Sequence, residues 1–123
     1  MKFFTPSEAA GTLPLVRKIV EDILSTGRKI RELALSPGQN PSDTESFIEL
    51  RTNLMSYMDE LHDLGCYYKD WNFEIGLVDF PAIINGEEVM LCWKSDEQNI
   101  SYFHSFEGGY QGRKPIPEEL LNG

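Results

Sequence analysis

A histidine, a glutamate and an arginine, His104, Glu107 and Arg113, occur within ten residues near the C-terminal end. Three glycines separate Glu107 from Arg113. Glycines allow backbone N–H groups to converge on an anion, and arginine binds a carboxylate or phosphate through two parallel hydrogen bonds. Histidine exchanges protons near neutral pH. The pattern indicates a polar site for a small anionic ligand. The alternative is that the glycines only supply turns and Arg113 pairs with Glu107 to anchor the tail.

Asp79 is an acid inside an otherwise apolar stretch, and it comes two residues before Pro81. Proline restricts a strand to an edge or a bulge. A carboxyl group in such a stretch either has a raised pKa or pairs with a cation, for which Arg113 and Lys94 are the candidates. We predict that Arg113 and Asp79, with His104 nearby, form a polar pocket where the glycine loop folds back along the sheet. The alternative is a surface aspartate that caps a turn.

These residues allow two other chemistries. His104 with Glu107 or Asp79 is a possible acid–base pair of a small enzyme, in which Arg113 holds an anionic substrate. His104 and Glu107 are also weak candidates for metal ligands, although two ligands do not make a site. The sequence contains no HExxH motif, no CxxC pair and no phosphate-binding glycine loop, so neither catalytic residues nor a cofactor can be assigned.

The two cysteines, Cys66 and Cys92, lie 26 residues apart. In a reducing compartment they are expected to be free thiols in strands, with a Cys66–Cys92 disulfide as the alternative. Cys92 is disfavoured as a nucleophile with His104 as its base, because an even-length loop after Lys94 places the two side chains on opposite faces of the sheet. A bulge near Asp96 would reverse that arrangement.

Two long helices are predicted ahead of the sheet. Thr5–Glu8 is a capping box with proline at the first helical position, and a helix follows to about Leu35. Gly11 and Pro14 are predicted to interrupt it. Small residues at Gly27 and Ala34 on its apolar seam would let a partner backbone approach closely.

A second capping box, Ser42–Glu45, opens a helix that ends at Gly65, and the Pro- and Gly-rich residues 36–41 separate the two helices. Their similar predicted lengths, about 22 residues each, favour an antiparallel hairpin over about 6–64. Ile48, Met55 and Met58 form a second apolar stripe that the first helix cannot cover. We therefore expect self-association, with a two-fold homodimer as the commonest form.

After Gly65 the apolar period changes from 3.6 to 2, which indicates strands. Asn85-Gly86 is typical of a two-residue type I′ hairpin loop between strands 77–84 and 87–94, and this register pairs Asp79 with Cys92. The sequence thus predicts one α+β domain over 1–123, with an antiparallel meander of three or four strands over about 66–104 and a Gly/Pro-rich tail over 105–123. The core face of the hairpin is predicted to carry Val78, Phe80, Ala82, Ile84, Val89, Leu91 and Trp93.

Several motifs in this order resemble an uncharacterised bacterial family, the domain-of-unknown-function family 2203. The resemblance covers nearly the whole chain and carries no established activity, so it implies candidate positions and no chemistry. Its residues are Leu13–Val16, Gly76–Pro81, Leu91–Trp93 and His104-x-x-Glu107-x-Gly109-Tyr110-x-Gly112-Arg113-x-Pro115.

Charge and composition exclude several classes of protein. The chain has 123 residues and a net charge of −9, and residues 63–123 carry 4 basic and 11 acidic side chains. A phosphate backbone would be repelled by that half, so nucleic acid is not an expected partner. No secretory segment and no apolar run of about 20 residues is present, which predicts a cytoplasmic protein without a membrane partner. We expect a non-enzymatic binding or scaffolding domain, with a small enzyme or a metal-binding protein as the alternative.

Overall fold

In the computed structural model, which describes residues 1–35 and 45–121, two long helices precede a five-stranded antiparallel sheet. The strand order β1-β2-β3-β4-β5 follows the chain. The helices are α1 (Pro6–Ala34), α2 (Glu45–Leu64) and the short α3 (Glu118–Leu121), and the strands are β1 (Tyr67–Tyr68), β2 (Leu77–Ile84), β3 (Glu87–Lys94), β4 (Tyr102–Ser105) and β5 (Lys114–Pro115).

The predicted start of α1 is confirmed and the predicted interruption is wrong. The Thr5 hydroxyl accepts a hydrogen bond from the Glu8 N–H, and the Glu8 carboxylate accepts one from the Thr5 N–H. The helix then continues through Pro14 for 29 residues. Proline removes one backbone hydrogen bond, but Leu13 and Val16 are buried on either side of it. Packing of that face against the core holds the helix together.

α1 and α2 pack side by side as the predicted helical hairpin, although α1 has 29 residues and α2 has 20. Gly65 follows α2 with a φ of +99°, as expected for a residue that ends a helix. The predicted break at 36–41 and most of the predicted capping box at 42–45 lie outside the described residues. No helix of the described chain combines the length and the apolar character needed to span a bilayer.

The close approach predicted at Gly27 is made by an aromatic ring. A Cβ on Gly27 would lie 2.3 Å from ring carbons of Phe73, in the β1–β2 connection. Ala34 is exposed and has no comparable role. The small residue therefore makes room for Phe73 against α1.

The β2–β3 hairpin has the predicted register, with Asp79 opposite Cys92 and Phe80 opposite Leu91. Asn85 and Gly86 have φ values of 53° and 80°, as a type I′ turn requires. All seven residues of the predicted core face belong to the buried core. Pro81 is tolerated because β1 pairs only with Val78 and Asp79, which leaves β2 locally an edge that Phe4 meets by donating its N–H to the Pro81 carbonyl.

The side chains of β4 point to the opposite face of the sheet from the one expected for an even-length loop. Tyr102 lies opposite Cys92 and His104 opposite Met90, so both share the face that points away from the helices. The connection over 95–101 has an odd number of residues, and Glu97 closes its first turn. Its N–H donates to the Lys94 carbonyl over 2.9 Å, and its carboxylate accepts the Lys94 N–H over 2.8 Å.

The predicted tail continues the sheet, which has five strands where three or four were expected. β5 pairs with β4, placing Pro115 opposite Tyr102. Gly109 has a φ of 59° and a ψ of −171°, a combination that is open essentially to glycine alone. The chain reverses there and folds back over the face of the sheet that points away from the helices, which we call the second face.

Candidate functional site

His104 and Asp79 form a buried pair at the centre of the second face of the sheet. The Nε2 atom of His104 lies 3.1 Å from each carboxylate oxygen of Asp79. The two residues stand on β4 and β2, on either side of β3, and each is 4% exposed. Burial raises the pKa of the Asp79 carboxyl, and the neighbouring histidine offsets part of that increase. The pair is thus a polar group that is shielded from solvent.

The second ring nitrogen of His104 determines how the pair shares its protons. Nδ1 lies 2.7 Å from the backbone carbonyl oxygen of Ser105. A carbonyl only accepts, so Nδ1 carries a hydrogen. In the neutral imidazole, Nε2 then presents its lone pair to Asp79, and the shared proton resides on the carboxyl group. In the alternative state His104 is an imidazolium and Asp79 a carboxylate. Both states are neutral overall.

Cys92 adds a thiol to this pair. It is 1% exposed, and its sulfur lies within 4.8 Å of the Asp79 and His104 ligand atoms. The prediction that Cys92 and His104 occupy opposite faces is wrong, because the Glu97 turn shifts β4 by one residue. Burial and the adjacent Asp79 carboxylate raise the pKa of the thiol to about 12. Cys92 is therefore a protonated thiol, and the nucleophile that the sequence disfavoured remains disfavoured.

Arg113 does not contact Asp79, contrary to the prediction. Its guanidinium donates to the Glu97 carboxylate over 2.6 Å and to the Cys92 carbonyl over 3.2 Å. It also stacks on the Tyr102 ring at 4.2 Å and on the Tyr110 ring at 5.2 Å. Because β5 pairs with β4, Arg113 is held above the β3–β4 turn, where Glu97 is the nearest acid. It anchors the tail, but through Glu97 instead of Glu107.

Glu107 lies on the exposed part of the loop, so the structure does not bring it to His104. Lys94, the other predicted partner of Asp79, has its ammonium 3.8 Å from Asp96. A hydrogen bond to Tyr110 raises the pKa of the Lys94 side chain. Of the predicted site residues, the fold therefore unites Asp79 and His104.

A pocket of about 270 Å³ opens above the buried pair. Its polar floor is formed by Asp79, Cys92 and His104, and the loop after β4 covers one side. The remaining lining residues are Lys69, Leu77, Phe106, Gly109 and Tyr110. Lys69 lies on the same face as Asp79, because its N–H donates to the carbonyl of Leu77 in β2. The pocket thus combines a neutral polar floor, apolar walls and one ammonium group.

Comparison with protein families agrees with this architecture and with the motifs along the chain. The model of the family described as Uncharacterized conserved protein (DUF2203) matches residues 2–116. The chain belongs to the DUF2203 family. No curated protein and no solved structure matches it. The matched range includes both long helices and all five strands of this DUF2203 protein, so the pocket lies inside the family domain.

Sequence reasoning did not place Lys69 or Tyr110 in the pocket of the DUF2203 protein, and it disfavoured Cys92. The Asp79–Cys92 pairing was already implied by the Asn85-Gly86 turn, because directly opposed residues of an antiparallel pair share a face. That signal was sufficient to place the thiol beside the carboxyl group. Lys69 and Tyr110 had no such signal, since a two-residue strand and a glycine-rich loop carry no periodic pattern.

We expect neither cysteine of the folded DUF2203 protein to react with a thiol reagent within minutes at pH 8. Burial is the main reason that the pKa of both thiols is about 12, so roughly one thiol in ten thousand is ionised at that pH. Titration with Ellman's reagent checks this before and after unfolding in guanidinium. Cys66→Ala isolates the signal of Cys92. Rapid reaction of one thiol in the folded protein would contradict the expectation.

Proposed function

We propose that this protein is a binding module whose pocket accepts a small anion. The supporting observation is the position of Lys69, which lines the pocket and has no ion-pair partner among the described residues. The second half of the chain has only 4 basic side chains against 11 acidic ones. Three of those four, Lys69, Lys94 and Arg113, lie around this pocket or around Tyr110 in its wall.

The floor of the pocket is compatible with an anion, because the Asp79–His104 pair is neutral in either distribution of its proton. An anion in the pocket therefore meets no net negative charge from the pair, while the Lys69 ammonium attracts it. Arg113 takes no direct part in this function, since it is not one of the residues that line the pocket, and its guanidinium donates to Glu97 and to a backbone carbonyl. It supports the pocket by holding Tyr110.

The shape of the pocket limits the ligand to a small molecule. At roughly 30 Å³ for one water-sized group, about 270 Å³ holds about nine such groups. Leu77 and Phe106 line the walls, so a short apolar body beside an anionic head fits the lining. Small carboxylates with a few carbon atoms satisfy both requirements.

The test is an NMR titration of the isotope-labelled protein with acetate, butyrate, benzoate and inorganic phosphate. Binding is measured from the changes in amide chemical shifts. We expect saturable shifts at Lys69, Leu77 and Gly109, with the carboxylates of larger apolar body binding more tightly than acetate. Lys69→Gln should weaken binding about fivefold or more, because one close charge pair is worth about 1 kcal/mol or more.

The matched control is Lys114→Gln, which removes the same charge from an exposed residue of β5. It should leave the affinity within a factor of two. Equal losses in the two variants would show that only the net charge matters, and would overturn the proposed pocket. Absence of saturable shifts with all four anions would overturn it as well.

We also propose that α2 mediates self-association. Of its 20 residues, Leu61 alone is buried, whereas eight residues of α1 are buried. Ile48 and Met55, two turns apart on α2, are each 57% exposed. An apolar stripe of this kind is typical of a helix that packs against a second copy of its chain.

We expect light scattering to give a mass near twice 14.1 kDa for the native chain. The double variant Ile48→Lys/Met55→Lys should be monomeric and should melt no earlier than the native protein at low concentration. Leu15→Lys, at a residue of α1 that is 50% exposed, is the control and should remain dimeric. A native mass of one chain at high concentration would contradict the proposal.

A further inference from the structure

Three different metal-ligating groups converge at the floor of the pocket. Asp79 supplies a carboxylate oxygen, Cys92 a sulfur and His104 the Nε2 atom, and all of these atoms lie within 4.8 Å of one another. In the part of the chain that the structure describes, they form the only such group of three or more. Each side chain comes from a different one of three adjacent strands, so the sheet itself sets their separation.

The orientation of His104 suits a metal ligand. Its Nδ1–H donates to the Ser105 carbonyl over 2.7 Å, which leaves the Nε2 lone pair directed at Asp79. Histidines that bind metals almost always donate their second N–H to a carboxylate, carbonyl or water in this way, because that bond determines the tautomer and the ring orientation. The backbone of β4 thus pre-orients Nε2 for coordination.

The charges of the three groups match those of a divalent cation. A carboxylate and a thiolate contribute one negative charge each and a neutral imidazole contributes none, so a dication makes the buried cluster neutral. Without a cation, one proton on the thiol and one shared between Asp79 and His104 keep the cluster neutral. A metal ion would replace those two protons and leave no net charge in the sheet.

The distances are close to those of a coordination sphere. Bond lengths of about 2.0–2.3 Å to N, O and S place tetrahedral ligands about 3.3–3.8 Å apart. The Nε2 atom already lies 3.1 Å from both carboxylate oxygens, and the sulfur is within 4.8 Å. A shift of about 1 Å by the thiol completes the geometry. The pocket lies on the remaining side, where a fourth ligand from solvent fits.

We propose that Asp79, Cys92 and His104 bind one divalent transition-metal ion of the Zn²⁺ type, with the fourth coordination position open to the pocket. Sulfur and imidazole ligands favour Zn²⁺ and similar ions over Mg²⁺ or Ca²⁺, which prefer oxygen alone. The site goes beyond the anion pocket and does not depend on it. Where both exist, the open position and Lys69 face the same anion.

The test uses the full chain after dialysis against EDTA, titrated with Co²⁺ in a buffer without carboxylate or phosphate. We expect one Co²⁺ per chain, an intense tetrahedral ligand-field spectrum and a thiolate-to-cobalt charge-transfer band, all of which Zn²⁺ abolishes by displacement. Cys92→Ser should eliminate the charge-transfer band. It should also reduce affinity by more than the 10–100-fold that loss of an outer partner typically costs.

Cys66→Ser is the matched control, because Cys66 is also a buried free thiol but lies outside the cluster. It should leave the spectrum and the affinity unchanged. Asp79→Asn, which keeps the side-chain shape, provides a second test if Cys92→Ser folds poorly, and it should weaken Co²⁺ binding to a similar extent.

Three results would overturn the site: no spectral change at equimolar Co²⁺, a weak octahedral spectrum without sulfur, or equal losses in the two cysteine variants. The second would mean that the many surface carboxylates bind the ion adventitiously. Because the buffer contains no candidate anion, these results are independent of the anion titration. Cobalt binding with unchanged anion affinity in Lys69→Gln would support the metal site and reject the anion pocket.

Discussion

Asp79→Ala is expected to lower the free energy of unfolding by roughly 3–5 kcal/mol, the usual cost of removing one member of a buried ionic or hydrogen-bonded pair. The side chains of Asp79 and His104 are 6% and 4% exposed, so water cannot replace the lost partner. His104 would be left with a buried ring nitrogen that has no acceptor or donor. Urea denaturation followed by circular dichroism measures the change.

A double-mutant cycle separates the pair from the cavity that alanine leaves. Asp79→Ala, His104→Ala and the double variant should show a coupling energy of about 0.5–3 kcal/mol, since the two side chains are in direct contact. Glu107→Ala, at an exposed loop residue, is the control and should change stability by no more than about 0.5 kcal/mol. A loss below 1 kcal/mol for Asp79→Ala would show that the pair is not buried as described.

Arg113→Ala is expected to destabilise the protein by about 1–3 kcal/mol, because the half-buried Glu97 carboxylate and the Cys92 carbonyl both lose a charged hydrogen-bond donor. Arg113→Lys should recover little of this loss. A lysine ammonium cannot stack as a plane on Tyr102 and Tyr110 while it donates in two directions. Thermal and urea melts of the two variants, with Lys114→Ala as an exposed control, provide the measurement.

The same variants show whether Arg113 anchors the tail or binds the ligand. If Arg113 anchors the tail, Arg113→Ala loses stability and changes anion affinity only as far as Tyr110 moves in the pocket wall. If Arg113 instead contacted the ligand, Arg113→Ala would weaken anion binding and leave the melting temperature unchanged. The second result would contradict the role that the Glu97 contact assigns to Arg113.

Local signals in the sequence were sufficient to predict the ends of the helices and the register of the β2–β3 hairpin. The Thr5–Glu8 capping box, Gly65 and the Asn85-Gly86 turn each act through contacts within a few residues, so the helix start, the helix end and the pairing of Asp79 with Cys92 could be predicted. The core face followed from that register, because side chains alternate along a strand. Membership of the DUF2203 family also followed from motifs spread along the chain.

Tertiary structure decided which of these residues meet. The β3–β4 connection, in which the Glu97 carboxylate accepts the Lys94 N–H, has an odd length, and the resulting shift of one residue places every side chain of β4 on the other face, where His104 meets Asp79 and Cys92. Pairing of β5 with β4 brings Arg113 to Glu97 and leaves Lys69 as the cation in the pocket. Both outcomes depend on contacts between residues far apart in the chain. Neither the helical nor the strand period of the sequence encodes such contacts.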